Sequence, residues 1–287
     1  MITVFTPTFN RAYRLPKLYE SLCRQTDRDF EWLIVDDGST DDTVKLVESW
    51  IAENRIGIRY HRQDNGGKHR AINRGAEMAR GELFFIVDSD DYLTDDALSE
   101  IHKTYAEIQG DDRFCGVCMC RAHKDGVRIG GELCFDTLDC SALDFRLKHK
   151  ITGDMAEVMR TNIMRQFPFP EFEGEKFCPE ALVWNRIADN YFFRYKNRKI
   201  YICEYLADGL TAGIIRVRRF SPTASMMYYS ELLGRRIPLK EKLKSAVNFW
   251  RFADLKKYRG FNIPLAFSII TIIPGRLYRL FDTLKIR

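Results

Sequence analysis

The chain has 287 residues, of which 45% are hydrophobic and 30% are charged. This length and composition predict one large or two modest domains with a hydrophobic core, and they exclude a chain that is mainly disordered. No run approaches the roughly 20 apolar residues that a spanning helix needs, which excludes a polytopic membrane protein. The sequence enters a strand pattern at its first residues without a signal-peptide pattern, so we expect a cytoplasmic protein.

Eight cysteines lie along the chain, and we expect them to remain reduced. Cys115, Cys118 and Cys120 fall in a pattern typical of a buried strand. The second pair of a zinc ribbon is missing, although Cys134 and Cys140 lie further on. We therefore favour small buried hydrophobic residues over a zinc site.

Roughly the first 90 residues alternate strand and helix patterns. Residues 3–6, 32–35 and 83–87 have the length and β-branched or aromatic content of strands, and the segments between them carry a helical period. This β-α-β-α-β order predicts a parallel sheet covered on both faces, whose ligands bind beyond the carboxyl ends of its strands.

Polar motifs follow each predicted strand, at residues 7–11, 36–41 and 88–91. Asp88 and Asp90 are two positions apart in an extended segment, so both carboxylates can face one Mg²⁺ or Mn²⁺ ion. The alternative is a solvated turn that caps a helix.

Gly66, Gly67 and Lys68 open a predicted helix that ends near Gly81. This motif is neither a Walker loop nor a dinucleotide-binding fingerprint. Backbone N–H groups and one lysine at a helix start can bind a phosphate, and an ordinary turn is the alternative. Further on, residues 168–180 are rich in proline, glycine and acids and predict a loop, where binding specificity usually lies.

The C-terminal part is basic, with 13 Lys and Arg against 3 Asp and Glu from Leu232 to the end. Residues 237–287 predict a basic amphipathic helix followed by an apolar segment. One interpretation is a segment that lies on an anionic bilayer surface, and the other is a helical pair packed on the rest of the protein with its charges in water. Nucleic acid is not expected as a partner, because no recognisable binding module is present. The apolar positions of the predicted helix are Leu239, Leu243, Val247, Trp250 and Leu255.

The chain contains, in this order, the motifs Pro7–Arg11, Gln25, Asp29–Glu31, Val35–Asp41, Asn65–Gly67, Ala79–Glu82 and Asp88–Asp91. Together they resemble the family 2 glycosyltransferases of the GT-A fold, and the match is dense over residues 1–98. The resemblance implies an α/β fold with a Rossmann-like, mostly parallel sheet flanked by helices and a C-terminal basic helical extension. It implies a catalytic domain over residues 1–215, with the nucleotide-sugar half at 1–98 and the acceptor half at 99–215, followed by a helical tail at 216–287.

The activity implied by this resemblance is inverting transfer of a sugar from a nucleotide diphosphate-sugar, with UDP favoured, to an acceptor hydroxyl. If the tail lies on a membrane, we expect a lipid-linked or growing glycan of the cell surface as acceptor, at the inner face of the cytoplasmic membrane. Two alternatives stay open. One is a nucleotidyltransferase, which usually has a Gly-rich, Arg-containing loop after its first strand, where Pro7–Asn10 stand here. The other is an inactive nucleotide-sugar-binding protein.

The resemblance also implies roles for residues at the strand ends. Pro7 and Thr8 would line the nucleoside pocket, and Asp37 would accept a hydrogen bond from the base, with Asp36 beside it. Lys68 would contact the base or the diphosphate.

Three aspartates would form the metal and diphosphate site. Asp88 and Asp90 would be the DxD carboxylates, with Mn²⁺ or Mg²⁺ as cofactor, and Asp91 would be a further metal ligand. The complete set expected to bind the nucleotide-sugar is Pro7, Thr8, Asn10, Asp36, Asp37, Lys68, Asp88, Ser89 and Asp90.

Inversion requires a base that removes the acceptor proton. The family usually places this base in a Glu-Asp pair before a helix. At the matching stretch, Cys178–Arg186, the expected pair is replaced by Pro179 and Glu180. Glu180 is the predicted base and Asp154 is the reserve candidate, while the alternative for Glu180 is an acid that stabilises a helix N-terminus.

Overall fold

The computed structural model describes residues 1–204, 213–254 and 260–286, and they divide into two compact units. One unit comprises Met1–Pro168 and residues 185–204, and the other comprises Phe169–Trp184 with the described residues from 213 onward. The predicted boundary at 215 stays a prediction, and the units divide the chain differently because residues 169–184 group with the C-terminal helices. Residues 205–212 of the predicted acceptor half, and Leu255 and Arg287 of the predicted tail, lie outside the described residues.

Nine strands and eleven helices are seen within the described residues. The strands are β1 (Ile2–Thr8), β2 (Phe30–Asp36), β3 (Ile58–Arg62), β4 (Leu83–Ile86), β5 (Tyr92–Leu93), β6 (Phe114–Ala122), β7 (Thr137–Cys140), β8 (Met155–Arg160) and β9 (Phe192–Ile202). The helices are α1 (Leu15–Cys23), α2 (Thr43–Glu53), α3 (Lys68–Met78), α4 (Ala97–Ala106), α5 (Ala142–Leu147), α6 (Thr161–Gln166), α7 (Glu180–Ala188), α8 (Ile214–Phe220), α9 (Pro222–Gly234), α10 (Leu239–Phe252) and α11 (Leu265–Ile286).

All nine strands form one sheet in the order β3-β2-β1-β4-β8-β6-β9-β5, with β7 paired to β9. The first four strands in this order are parallel, and β8 joins β4 to β6 through antiparallel pairing. The prediction of an α/β fold with a Rossmann-like sheet flanked by helices is confirmed. Strand β3 was not predicted, because it lies at an edge of the sheet and its residues, such as Ile58 and Tyr60, are only half buried.

The three strands that were predicted within the first 90 residues form because their side chains can be buried on both faces of the sheet. Every residue of β1 is buried, and Leu15, Leu18 and Leu22 of α1 are fully buried on one helical face. Helix α3 lies close to β1, since a Cβ added at Gly75 would meet the Phe5 ring at 2.2 Å. This packing fixes the start of α3 at the carboxyl edge of the sheet.

The cysteine-rich segment forms the buried strand that was predicted. Cys115, Cys118 and Cys120 lie on β6 and are fully buried. Burial raises the pKa of the Cys118 thiol well above its ordinary value, which disfavours the thiolate form that binds metals.

The second unit is held together by α9, α10 and α11. Phe249 and Trp250 of α10 are buried in its apolar cluster, and Arg251 of α10 pairs with buried Asp282 of α11 at 2.6 Å. Of the predicted apolar positions of α10, Trp250 is buried in this packing, whereas Leu239 is 65% exposed, and the membrane interpretation of this segment stays a prediction. No helix among the described residues has the length and hydropathy needed to cross a membrane.

Candidate functional site

The motifs that follow β1, β2 and β4 meet at one edge of the sheet, where the carboxyl ends of these parallel strands lie. The end of β6 and the beginning of β8 reach the same edge, because Met155 pairs with Cys120 while Val158 pairs with Phe85 of β4. Residues from five strands can therefore contribute to one site.

Asp88 lies directly beyond β4 and is bound by two cations. Lys68 Nζ lies 2.6 Å from its Oδ1 atom, and an Arg121 nitrogen lies 3.5 Å from its Oδ2 atom. Burial alone would raise the pKa of Asp88, but the charges of Lys68 and Arg121 outweigh it and hold the pKa at about 2. The backbone N–H of Asp88 donates to the Tyr201 hydroxyl at 2.9 Å, which fixes the strand end.

The pKa values of Asp90 and Asp91 are raised, whereas the pKa of Asp88 is lowered. Burial, followed by the negative charge of Asp88, raises the pKa of Asp90. Burial and the charges of Asp88 and Asp90 raise the pKa of Asp91 to about 7. Asp91 Oδ1 accepts a hydrogen bond from the Glu204 backbone N–H at 3.0 Å. The three aspartates thus repel one another at the end of β4.

Arg121, at the end of β6, was missed by the sequence analysis. Its Nε donates to the Met155 carbonyl at 2.7 Å, and its guanidinium carbon lies 4.1 Å from the centre of the Tyr201 ring. These contacts hold the Arg121 guanidinium between Asp88 and Asp91. A charged residue that ends a long buried strand was the available signal, but the partner strands could not be known from the sequence.

The crowded carboxylates fit a divalent cation, because a cation would relieve the repulsion that raises the pKa values of Asp90 and Asp91. Asp88 and Asp90 would supply the hard oxygen ligands that Mg²⁺ and Mn²⁺ prefer. Within residues 1–204, 213–254 and 260–286, no group of three or more His, Cys, Asp or Glu side chains is arranged to hold a metal. The remaining ligands would come from the substrate.

Asp37 holds the loop that opens α3. Its Oδ1 atom accepts hydrogen bonds from Gln63 Nε2 and the Gly66 N–H, and its Oδ2 atom accepts from Asn65 Nδ2 and the Gly67 N–H, over 2.7 to 3.2 Å. A carboxylate has about four acceptor positions, and all four are used here. A contact from Asp37 to a base would have to replace one of these bonds, so that role stays a prediction.

The other predicted nucleoside residues lie around the same loops. Asp36 is fully buried, accepting from the Ser39 N–H and the Tyr60 hydroxyl. Asn10 has a φ of 53° and accepts from the Thr40 N–H, so it joins the loops after β1 and β2. The sequence-predicted neighbours Pro7, Thr8 and Ser89 are also buried, and the Thr8 hydroxyl has no hydrogen-bond partner among the described residues.

The two candidate bases belong to different units. Asp154 is exposed and directly precedes β8, so the topology brings it to the edge that carries Asp88. Glu180 is the first residue of α7, half buried, and belongs to the unit of the C-terminal helices. The role of each as a base stays a prediction.

Comparisons of this chain with a protein-family model and with curated proteins point to the same family. Residues 3–155 match the family described as Glycosyl transferase family 2. A curated GalNAc(5)-diNAcBac-PP-undecaprenol beta-1,3-glucosyltransferase of Campylobacter jejuni is 28% identical over 266 residues, covering 89% of this chain and 78% of that protein. A PGL/p-HBAD biosynthesis glycosyltransferase of Mycobacterium tuberculosis is 32% identical over 139 residues, and the match covers 48% of this chain and about half, 54%, of that protein.

Solved structures share the fold. The S. aureus TarS fragment 1–349 in complex with UDP-GlcNAc has a TM-score of 0.64 at 18% identity, covering 97% of this chain and 89% of the fragment. The mannosyltransferase PcManGT from Pyrobaculum calidifontis, in complex with GDP-Man and Mn²⁺, has a TM-score of 0.57 at 16% identity, covering 98% and 87% of the two chains. Since the family match extends over more than half of the chain and its motifs meet at one edge of the sheet, the protein belongs to glycosyl transferase family 2 and is a glycosyltransferase.

Proposed function

We propose that the protein is an inverting glycosyltransferase that moves a sugar from a nucleotide diphosphate-sugar, with UDP favoured, to a hydroxyl of a lipid-linked or growing glycan. The observation that carries this proposal is the group of Asp88, Asp90 and Asp91 with Lys68 and Arg121 at the carboxyl edge of the sheet. The names of the relatives support it: one similar structure holds UDP-GlcNAc, and the Campylobacter relative is named for an undecaprenol-linked glycan.

The chain's own residues suit displacement of a diphosphate. Lys68 and Arg121 are placed to bind and orient the diphosphate oxygens, and their positive charges stabilise the negative charge that develops on the leaving group. The base is Glu180, with Asp154 as the reserve candidate. It takes the proton of the acceptor hydroxyl while the acceptor oxygen attacks C1 of the donor sugar from the face opposite the departing diphosphate. A Mn²⁺ or Mg²⁺ ion held by Asp88 and Asp90, with Asp91 as a further ligand candidate, would add Lewis-acid stabilisation of the leaving diphosphate.

The donor class is tested by thermal unfolding with UDP, GDP, dTDP and CDP, each with Mn²⁺ and with EDTA. A ligand at about 100 times its dissociation constant stabilises the folded state by about 2.7 kcal/mol. We expect a metal-dependent rise in melting temperature with UDP, and weaker effects with the other three nucleotides. Unchanged melting with all four would contradict the proposed donor class.

As part of this proposal, the protein acts at the inner face of the cytoplasmic membrane, and α11 is the part of it that contacts the membrane. Large apolar side chains cover its outer face: Leu265, Ile269, Ile270, Ile273, Leu277, Leu280, Phe281 and Leu284 are all more than half exposed. Its inner face packs on α10, where a Cβ at Gly275 would meet Trp250 at 2.5 Å. The charged residues between positions 265 and 284, Arg276, Arg279 and Asp282, make polar contacts with α10 or with Ala253 after it. The outer face of α11 therefore carries no charge, while α10 has exposed lysines such as Lys240 and Lys244. This combination suits a helix that lies in the interface of an anionic bilayer.

The α11 surface is tested by flotation of the full chain with vesicles that contain anionic lipid. We expect the double substitution Ile269→Glu/Ile273→Glu to lower the bound fraction about tenfold, because two charges would enter the apolar zone. Both side chains are about two-thirds exposed, so the fold should be unaffected. The matched control is Ile51→Glu on α2, also an exposed isoleucine, which should float as the wild type does. Equal flotation of all three proteins would contradict the membrane contact.

A further inference from the structure

The loop that precedes α7 contains one deeply buried acid, Glu175. This residue is 3% exposed, whereas Glu171 and Glu173 on the same loop are exposed. The two carboxylate oxygens of Glu175 accept hydrogen bonds from the backbone N–H groups of Thr223 and Ala224, at 2.9 and 3.0 Å. Because a buried carboxylate is stable only when its oxygens are bonded, these two hydrogen bonds fix where this part of the loop lies.

Thr223 and Ala224 belong to the first turn of α9, whose N-cap residue is Ser221. The first N–H groups of a helix have no partner within the helix, and the side chain of the N-cap residue usually binds one of them. In the described part of the chain, Ser221 makes no such bond to α9, and its Oγ atom instead accepts from the Phe177 N–H of the loop at 3.1 Å. The loop and the helix therefore exchange partners, since Glu175 caps α9 and the N-cap residue of α9 holds the loop.

The ring of Phe177 adds a second contact between the loop and the C-terminal helices. The guanidinium carbon of Arg218, on α8, lies 5.6 Å from the centre of this ring. The same carbon lies 5.4 and 5.5 Å from the ring centres of Tyr228 and Tyr229 on α9. Tyr229 stacks on Phe252 of α10, with the ring centres 6.1 Å apart. The loop is thus tied to α8 and α9, which pack on α10 within the second unit.

Glu180 begins α7 only three residues after Phe177, and the two residues between them, Cys178 and Pro179, are buried. The position of Glu180 is therefore set by the bonds that hold the loop. We propose that Glu175 is a positioning residue, which places Glu180 as the base by fixing the loop on α9. This inference rests on the proposed function, since a base presupposes transfer to an acceptor hydroxyl. A displacement of about 1 Å in a reacting group can lower the rate about 100-fold, so the position of this loop matters for catalysis.

The test is a double-mutant cycle in the full chain that combines Glu175→Gln with Glu180→Gln. Glu175→Gln keeps the size of the side chain but replaces one acceptor oxygen by an NH₂ group, which cannot accept the second hydrogen bond. We expect this change to lower kcat about tenfold, with UDP affinity in the presence of Mn²⁺ within about twofold. In the Glu180→Gln background it should lower the residual kcat less than twofold, because the base through which Glu175 acts is then absent.

The matched control is Glu173→Gln, which makes the same chemical change at an exposed acid of the same loop. It should leave kcat within about twofold of the parent protein in both backgrounds. A tenfold loss from Glu175→Gln that persists in the Glu180→Gln background would overturn the proposal. So would a kcat for Glu175→Gln within twofold of the wild type, or a tenfold loss of UDP affinity.

Two further measurements keep the test decisive. If Glu175→Gln does not fold, Ser221→Ala takes its place, since it removes only the acceptor of the Phe177 N–H. It should lower kcat about threefold, and only when Glu180 is present. Absence of transfer by the wild type would contradict the proposed function, and hydrogen exchange would then decide the role of Glu175. Glu175→Gln should speed exchange of the amides at residues 177–182, Glu173→Gln should not, and unchanged exchange in both would overturn the positioning role.

Discussion

Asp90→Asn is expected to lower kcat for sugar transfer about 1000-fold, which corresponds to about 4 kcal/mol of transition-state stabilisation. Burial and the negative charge of Asp88 raise the pKa of Asp90, so a cation that binds beside it would stabilise its ionised form. Asparagine keeps the size of the side chain and removes the charge that would hold the cation and, through it, the leaving diphosphate. The measurement is the initial rate of nucleotide diphosphate release from the donor at several Mn²⁺ concentrations.

The matched control for this change is Asp95→Asn. Asp95 lies five residues further along and is mostly exposed, with one ion pair to Arg24 at 3.0 Å. Its replacement should leave kcat within about twofold, since exposed ion pairs contribute little. A rate for Asp90→Asn within tenfold of the wild type would show that Asp90 does not stabilise the leaving group.

Glu180→Gln is expected to lower kcat about 1000-fold while the affinity for the donor stays within about twofold. A positioned general base contributes about 100- to 10,000-fold, and glutamine cannot accept the proton of the acceptor hydroxyl. Retained donor affinity distinguishes loss of chemistry from loss of binding. The measurement combines kcat with the dissociation constant of the nucleotide diphosphate, both in the presence of Mn²⁺.

Two further variants make the assignment of the base decisive. Glu173→Gln changes an exposed acid on the loop that precedes α7 and should behave as the wild type. Asp154→Asn tests the acid that directly precedes β8. Loss of transfer in Asp154→Asn with normal transfer in Glu180→Gln would assign the base to Asp154, and normal transfer in both would contradict both candidates.

The sequence was sufficient for the elements whose side chains are buried on a regular period. Strand β1 and the inward face of α1 were predicted because each apolar run has a length and spacing that only one secondary structure satisfies. Strand β3 lacks this signal, since its half-buried residues include Arg59 and His61.

The acidic group was predicted from residues that are neighbours in sequence, whereas its cations and supports come from distant strands. Arg121 reaches Asp88 only because β6 and β4 pair with opposite sides of β8, and Tyr201 arrives on β9. A local pattern contains no information on such pairings. The same reason explains why the hydrogen bond from the Glu204 backbone N–H, after β9, to Asp91 could not be predicted.

The four hydrogen bonds of Asp37 have a consequence for the redesign of donor preference. Asp37 is the residue expected to contact the base, but all acceptor positions of its carboxylate are engaged by the loop that ends at Lys68. An amide at position 37 would turn its NH₂ group toward the Gly66 or Gly67 N–H and separate the loop from β2. Variation aimed at the nucleoside should therefore begin with the neighbours of Thr8, whose buried hydroxyl lacks a partner among the described residues, and should keep the aspartate.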